Sequence, residues 1–160
     1  MELSQKEAQA LFELPKFFFH EFKISFPGEG EKLTLEFYSK NKRYVFQADI
    51  DRSGFIKPKL KFQNRYNKIF ILRRLEIIGP PHKNPPDSLG FDFLKSYENL
   101  EIPCPHLHIY IEGFNDKWAI SLADVDELNI TQEDTPFEIM TKFFNYCNIE
   151  LPNFEVTLFS

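Results

Sequence analysis

The chain has 160 residues, 42 % of them hydrophobic and 16 % aromatic with 19 Phe, a composition that excludes disorder and fits one domain spanning residues 1–160. Two cysteines without CxxC spacing, a charged amphipathic start and no apolar run near the ~18 residues of a spanning helix exclude a disulfide framework and point to a soluble, cytoplasmic protein without a membrane partner. The net charge of −5 is segregated, with seven basic and no acidic residues from Ile56 to Leu75, and eight acidic residues against the single base Lys117 from Glu112 to Glu138, so the total does not exclude nucleic acid.

Residues 4–14 place Ala8, Leu11, Phe12 and Leu14 at near-helical spacing behind a Ser4-x-x-Glu7 capping pattern, which predicts a short amphipathic helix ended by Pro15. The aromatic, β-branched run KFFFHEFKISF predicts a strand. KLTLEFYS and KRYVFQADID alternate apolar and polar positions about a KNK turn and predict a hairpin. KPKLKFQNR sets Lys57, Lys59, Lys61 and Arg65 on one face and Leu60 and Phe62 on the other, a basic stripe suited to a phosphate backbone. KIFILRRLEII is apolar on both faces except at Arg73, Arg74 and Glu76, as in a central strand with one face under a helix. Residues 79–105 hold six of the eleven prolines with no clear period, a loop length that is often functional. KWAISLAD continues as a strand, residues 131–149 predict a helix behind acidic N-terminal residues, and NFEVTLF predicts a last strand. Short links between the strands favour an α+β fold, mainly an antiparallel sheet with an N-terminal and a C-terminal helix packed on it.

The segment PCPHLHIYIEGFNDKW stands out, since period-two alternation puts His106, His108, Tyr110 and Glu112 on one side and Leu107, Ile109 and Ile111 on the other. The polar side reads either as an ordinary solvated sheet face or as a site. Three of the four histidines, His82, His106 and His108, fall in or beside the proline-rich loop, and that loop has the reach to bring His82 and Asn84 over the sheet. Two imidazoles at a phosphodiester serve as general base and general acid, with Arg74 or Lys117 stabilising phosphoryl charge and no cofactor required. The same H-x-H spacing also suits a transition metal with His82 or Glu112 as third ligand, and this second chemistry ranks behind the first. His20 reads as a satisfied histidine near the core, and a Cys104–His106 nucleophile pair, a magnesium site at Asp49 and Asp51, and base stacking on Tyr44, Tyr66 or Tyr97 are weaker readings.

LRRLEIIGPPHKNP followed by CPHLHIYIEGFNDKWA resembles an uncharacterised family of bacterial and phage proteins, classed as a domain of unknown function, with G-P-P-H-x-N-P and P-H-L-H-x-Y-x-E-G-x-x-D-K-W motifs. A looser similarity is to TumE-type toxins, with Glu76 standing where those have aspartate and Arg74, His82, His106 and His108 at the matching positions. That resemblance implies RNA chemistry. The leading expectation is a metal-independent RNA phosphodiesterase with catalytic His82, His106, His108, Arg74 and Lys117, and substrate contacts from Lys57, Lys59, Lys61, Arg65, Asn84, Tyr110 and Glu112. The alternatives are a phage or mobile-element inhibitor that mimics nucleic acid with its acidic segment, or a histidine-ligated metal protein. The partner is accordingly RNA, or a protein such as an antitoxin or host defence protein.

Overall fold

The computed structural model describes residues 2–157. Helix α1, Gln5–Glu13, begins at Ser4, whose Oγ accepts from the Glu7 N–H, and turns Ala8, Leu11 and Phe12 inward. Strands β1 (Ile24–Ser25), β2 (Lys32–Tyr38), β3 (Val45–Asp51), β4 (Leu60–Tyr66) and β5 (Phe70–Ile78) follow. Within the long loop lie β6 (His82–Lys83), a 3-10 turn at Asp92–Tyr97 and β7 (Glu101–Ile102). The hairpin β8 (His106–Ile111) and β9 (Asn115–Ser121), helix α2 (Pro136–Tyr146) and β10 (Phe154–Glu155) complete the order.

Strands β2, β3, β4, β5, β8 and β9 form one antiparallel sheet in that spatial order, so β5 and β8 are central although 27 residues separate Ile78 from His106 along the chain. One sheet face carries Phe37, Phe46, Ala48, Ile50, Phe62 and Leu107 into a core shared with both helices. Helix α2 is set by a capping box between Thr135 and Glu138 with Pro136 in its first turn, and buries Ile139, Met140, Phe143 and Phe144. The architecture is the α+β fold expected, and no helix among the described residues is long and apolar enough to cross a membrane.

The stretch 16–26 departs from the expected strand. Only Ile24 and Ser25 are a strand, and the aromatic run before them packs rings instead of forming a ladder, with the Phe18 centroid 5.5 Å from that of Phe37. β10 is likewise two residues long and pairs in parallel with β1; Leu158 and Phe159, also expected in that last strand, lie outside the described residues.

Two arginines on successive positions of β5 leave the sheet on opposite faces. Arg73 lies 3.8 Å over the Phe12 ring and bonds the Tyr146 hydroxyl, so its apolar stem joins the helix layer. Arg74 enters the opposite face, where the histidines are. The loop 79–105 is stitched to the outer strand β9 by Asn84. This side chain donates to Ala119 O at 2.8 Å, accepts from Ala119 N at 2.8 Å and donates to Tyr97 O at 3.1 Å. Those bonds satisfy backbone groups that a sheet edge leaves open, and they hold the loop where it covers the histidine face.

Candidate active site

Antiparallel pairing sets Glu76 opposite His106 and Arg74 opposite His108. Since i and i+2 share a face, all four side chains meet, and Asp116 of β9 and His82 of the loop close on them. Ring centroids lie 4.6 Å apart for His82 and His108, 4.9 Å for His106 and His108, and 6.3 Å for His82 and His106.

The proton positions follow from which partners can only accept. His108 Nδ1 lies 2.8 Å from Asp116 O, so Nδ1 donates and Nε2 is bare. His106 Nε2 lies 3.2 Å from that bare nitrogen and 3.1 Å from Glu76 Oε2, so His106 carries its proton on Nε2 and leaves Nδ1 bare. That bare Nδ1 faces Cys104 Sγ at 3.7 Å. His82 Nε2 donates to Lys117 O at 2.7 Å, which leaves its Nδ1 bare as well.

Arg74 ties the charges together. Its Nη1 bonds Asp116 Oδ2, its Nη2 lies 3.4 Å from the bare His108 Nε2, and its Nε makes an ion pair with Glu76 Oε1 at 3.0 Å whose angle is not that of a hydrogen bond. Burial alone raises the Glu76 carboxyl, but the His106 hydrogen bond, the Arg74 guanidinium and the nearby histidines outweigh it and hold it down at about 2. Burial, then Arg74, pushes His108 down to about 4, so it is neutral at pH 7. Burial, then Glu76, pushes the Cys104 thiol up to about 11, which leaves no ready thiolate nucleophile.

The solvated-face reading of β8 is overturned: His106 is 0 % and His108 1 % exposed. Access comes through Glu76. A cleft of about 820 Å³ between the β3–β4 turn and the start of the loop is lined by Lys57, Lys59, Lys61, Glu76, Gly79 and Pro80, among others. Lys61 pairs directly across the strands with Glu76, so the basic stripe and the histidine cluster share one wall. The β3–β4 turn depends on Gly54, where a Cβ would fall 2.2 Å from Lys57 O.

Several expected contacts lie elsewhere. Tyr110 is 1 % exposed and exchanges hydrogen bonds with the Leu3 backbone at 2.8 and 3.0 Å, because the β8–β9 register shifts between Ile109 and Ile111 and the histidine pattern is not carried on to it. Glu112 accepts from Gln5 N at 2.9 Å, which ties the helix start to the hairpin and removes it as a third metal ligand for the histidines. Asn84 is buried and structural. Arg65 forms a two-pronged ion pair with Asp49 at 2.6 and 2.8 Å and does not line the cleft. Lys117 contributes its carbonyl to His82 while its residue stays exposed.

In the sequence Glu76 stood out only as a charge on β5 and at the TumE-type aspartate position, Cys104 only as a weaker nucleophile partner of His106, and Asp116 only within the acidic segment, yet all three belong to the site. Arg74-x-Glu76 is the signal for the first, since that spacing is one strand face.

No curated protein and no solved structure matches the chain. The sequence profile of DUF6978, a family of unknown function, matches residues 3–149, and the chain belongs to that family.

Proposed function

We propose that the protein cleaves RNA phosphodiesters held in the lysine-lined cleft. The observation that carries this reading is Glu76, which lines the cleft and at the same time accepts from His106 Nε2 at 3.1 Å. A carboxylate that fixes one imidazole nitrogen and leaves the other bare is the arrangement of a general base. Lys57, Lys59 and Lys61 supply phosphate contacts beside it. The likeness to TumE-type toxins, carried by Arg74, His82, His106 and His108, favours the same chemistry and an antitoxin-like partner.

In this reading His106 Nδ1 takes the proton of a ribose 2′-hydroxyl once the Cys104 side chain turns aside. O2′ then bonds to phosphorus, the bond from phosphorus to O5′ breaks, and the departing O5′ receives the proton, leaving a 2′,3′-cyclic phosphate. Lys59 and Lys61 balance the charge on the phosphoryl oxygens. Arg74, His108 and His82 position the pair. The rival, a nucleic-acid mimic, draws less support because Glu112, Asp116, Asp124, Asp134 and Glu138 are each engaged with a local partner.

The test is cleavage of a mixed-sequence RNA by wild type and His106→Gln, with circular dichroism as the check on folding. The expected loss is about 10²–10⁴-fold. Wild-type protein that leaves RNA intact overturns the reading.

A further inference from the structure

We propose that Glu76, Cys104 and His106 also form a binding site for a divalent transition-metal ion such as zinc, at the inner wall of the cleft. One ligand atom from each lies within 4.8 Å of the other two. Bonds of about 2.0–2.3 Å separate tetrahedral ligands by roughly 3.3–3.8 Å, and Cys104 Sγ stands 3.7 Å from His106 Nδ1.

The proton pattern suits a ligand. His106 keeps its hydrogen on Nε2, donated to Glu76 or His108, and presents the bare Nδ1 toward the thiol. A metal-bound histidine commonly donates its second nitrogen in this way, which orients the ring. Glu76 Oε1 is paired with Arg74, which orients the carboxylate; Oε2, which accepts from His106 Nε2 without the ion, turns to the ion on binding while that hydrogen bond passes to His108 Nε2. An ion that displaces the thiol proton is balanced by one thiolate and one carboxylate, so the neutral set coexists with the Arg74 guanidinium.

Gly79 leaves the outer side free. A Cβ at that position would lie 3.7 Å from Glu76 Oε2 and 3.8 Å from Cys104 Sγ, and in its absence a fourth ligand such as water approaches from the cleft. The set of one nitrogen, one sulfur and one oxygen favours zinc and its neighbours over magnesium or calcium. One consequence rests on the proposed cleavage: an ion at His106 Nδ1 occupies the base, so metal-loaded protein is the inhibited form.

Titration of the full chain with cobalt(II), followed by displacement with zinc, tests the site without any RNA. One ion per chain, with a thiolate-to-cobalt charge-transfer band that disappears in Cys104→Ala and an affinity that falls about tenfold or more in Glu76→Gln, supports it. The exposed-histidine variant His20→Ala should bind as wild type does. No band in wild type, or binding that survives both Cys104→Ala and His106→Gln unchanged, overturns it. Zinc that slows wild-type RNA cleavage more than it slows Cys104→Ala, each against its own metal-free rate, supports the inhibitory consequence. Protein that binds cobalt but cleaves no RNA overturns the proposed function and leaves the ion site standing.

Discussion

His106 and His108 face each other Nε2 to Nε2 at 3.2 Å, and only His106 carries the shared proton because His108 has its own on Nδ1, held by Asp116 O. The pair is thus ordered by a backbone carbonyl on one side and a carboxylate on the other. Replacing Asp116 leaves that carbonyl in place but removes a carboxylate from Arg74, so the cluster hinges on the arginine.

Arg74→Met is expected to leave Glu76 and Asp116 facing each other across the cluster without their cation. Both carboxylates keep partial solvent contact, so the cost falls below that of a fully buried pair, at about 2–3 kcal/mol of unfolding free energy. Arg74→Lys restores charge but not the fork that reaches Glu76, Asp116 and His108 together, and should recover less than half of the loss. Urea unfolding of the three proteins measures this.

Asn84→Ala removes three hydrogen bonds and leaves Ala119 N, Ala119 O and Tyr97 O without their partner. The expected cost is about 2–3 kcal/mol. Because Asn84 fastens the loop that carries His82 and Cys104, amide exchange should rise across residues 79–105 and stay low in β4 and β5. Uniformly faster exchange throughout the sheet would instead show that the loop is part of the global folding unit.

Lys16 is 1 % exposed and donates to Phe12 O, Leu14 O and Cys147 O, bridging the ends of the two helices. Burial lowers its ammonium from 10.5 to about 8. Below that pH both states hold the proton; above it the folded state releases the proton while the unfolded state keeps it until 10.5, so stability rises with pH. The gain is about 1 kcal/mol from pH 8 to 9, before unfolded-state thiols, titrating from 9.0, oppose it. Lys16→Met should flatten this rise, which pH-dependent urea unfolding measures.

Lys57, Lys59 and Lys61 line the cleft, where Lys59 and Lys61 are loosely paired with Asp51 at 3.4 and 4.0 Å, whereas Arg65 is held by Asp49 through two short hydrogen bonds. Glu substitution at Lys57 and Lys59 should weaken RNA binding and reduce the salt slope by about 0.7 for each single-strand phosphate that is no longer neutralised. Arg65→Gln should lower stability, by leaving Asp49 without its guanidinium, and leave the salt slope unchanged. Fluorescence anisotropy across a salt series separates the two outcomes.

While β5 was legible as a run apolar on both faces, period-two alternation carried β2, β3, β4 and β8, since one buried face per strand leaves a pattern that hydropathy reads directly. It failed over 16–26 because aromatic residues are favoured in strands and in ring clusters alike. Parity placed His106 and His108 together, and the position of the loop suggested His82. It misplaced Tyr110, because a register shift leaves no trace in hydropathy, and it made the basic stripe look free, because Asp49 and Asp51 stood out only as a weak magnesium site while they in fact pair with Arg65, Lys59 and Lys61. Glu76 gained its meaning only from the β5–β8 register, which sets it against His106.

The most direct measurement of the central claim is cleavage of a defined oligoribonucleotide and of the same oligonucleotide with 2′-deoxyribose throughout, with products separated by end group. Wild type should cut the ribonucleotide to 2′,3′-cyclic phosphate ends and leave the deoxy strand whole, and Glu76→Gln and His106→Gln should cut neither. Cleavage of both strands alike, or full cleavage of the ribonucleotide by the two variants, would contradict a His106 base held by Glu76.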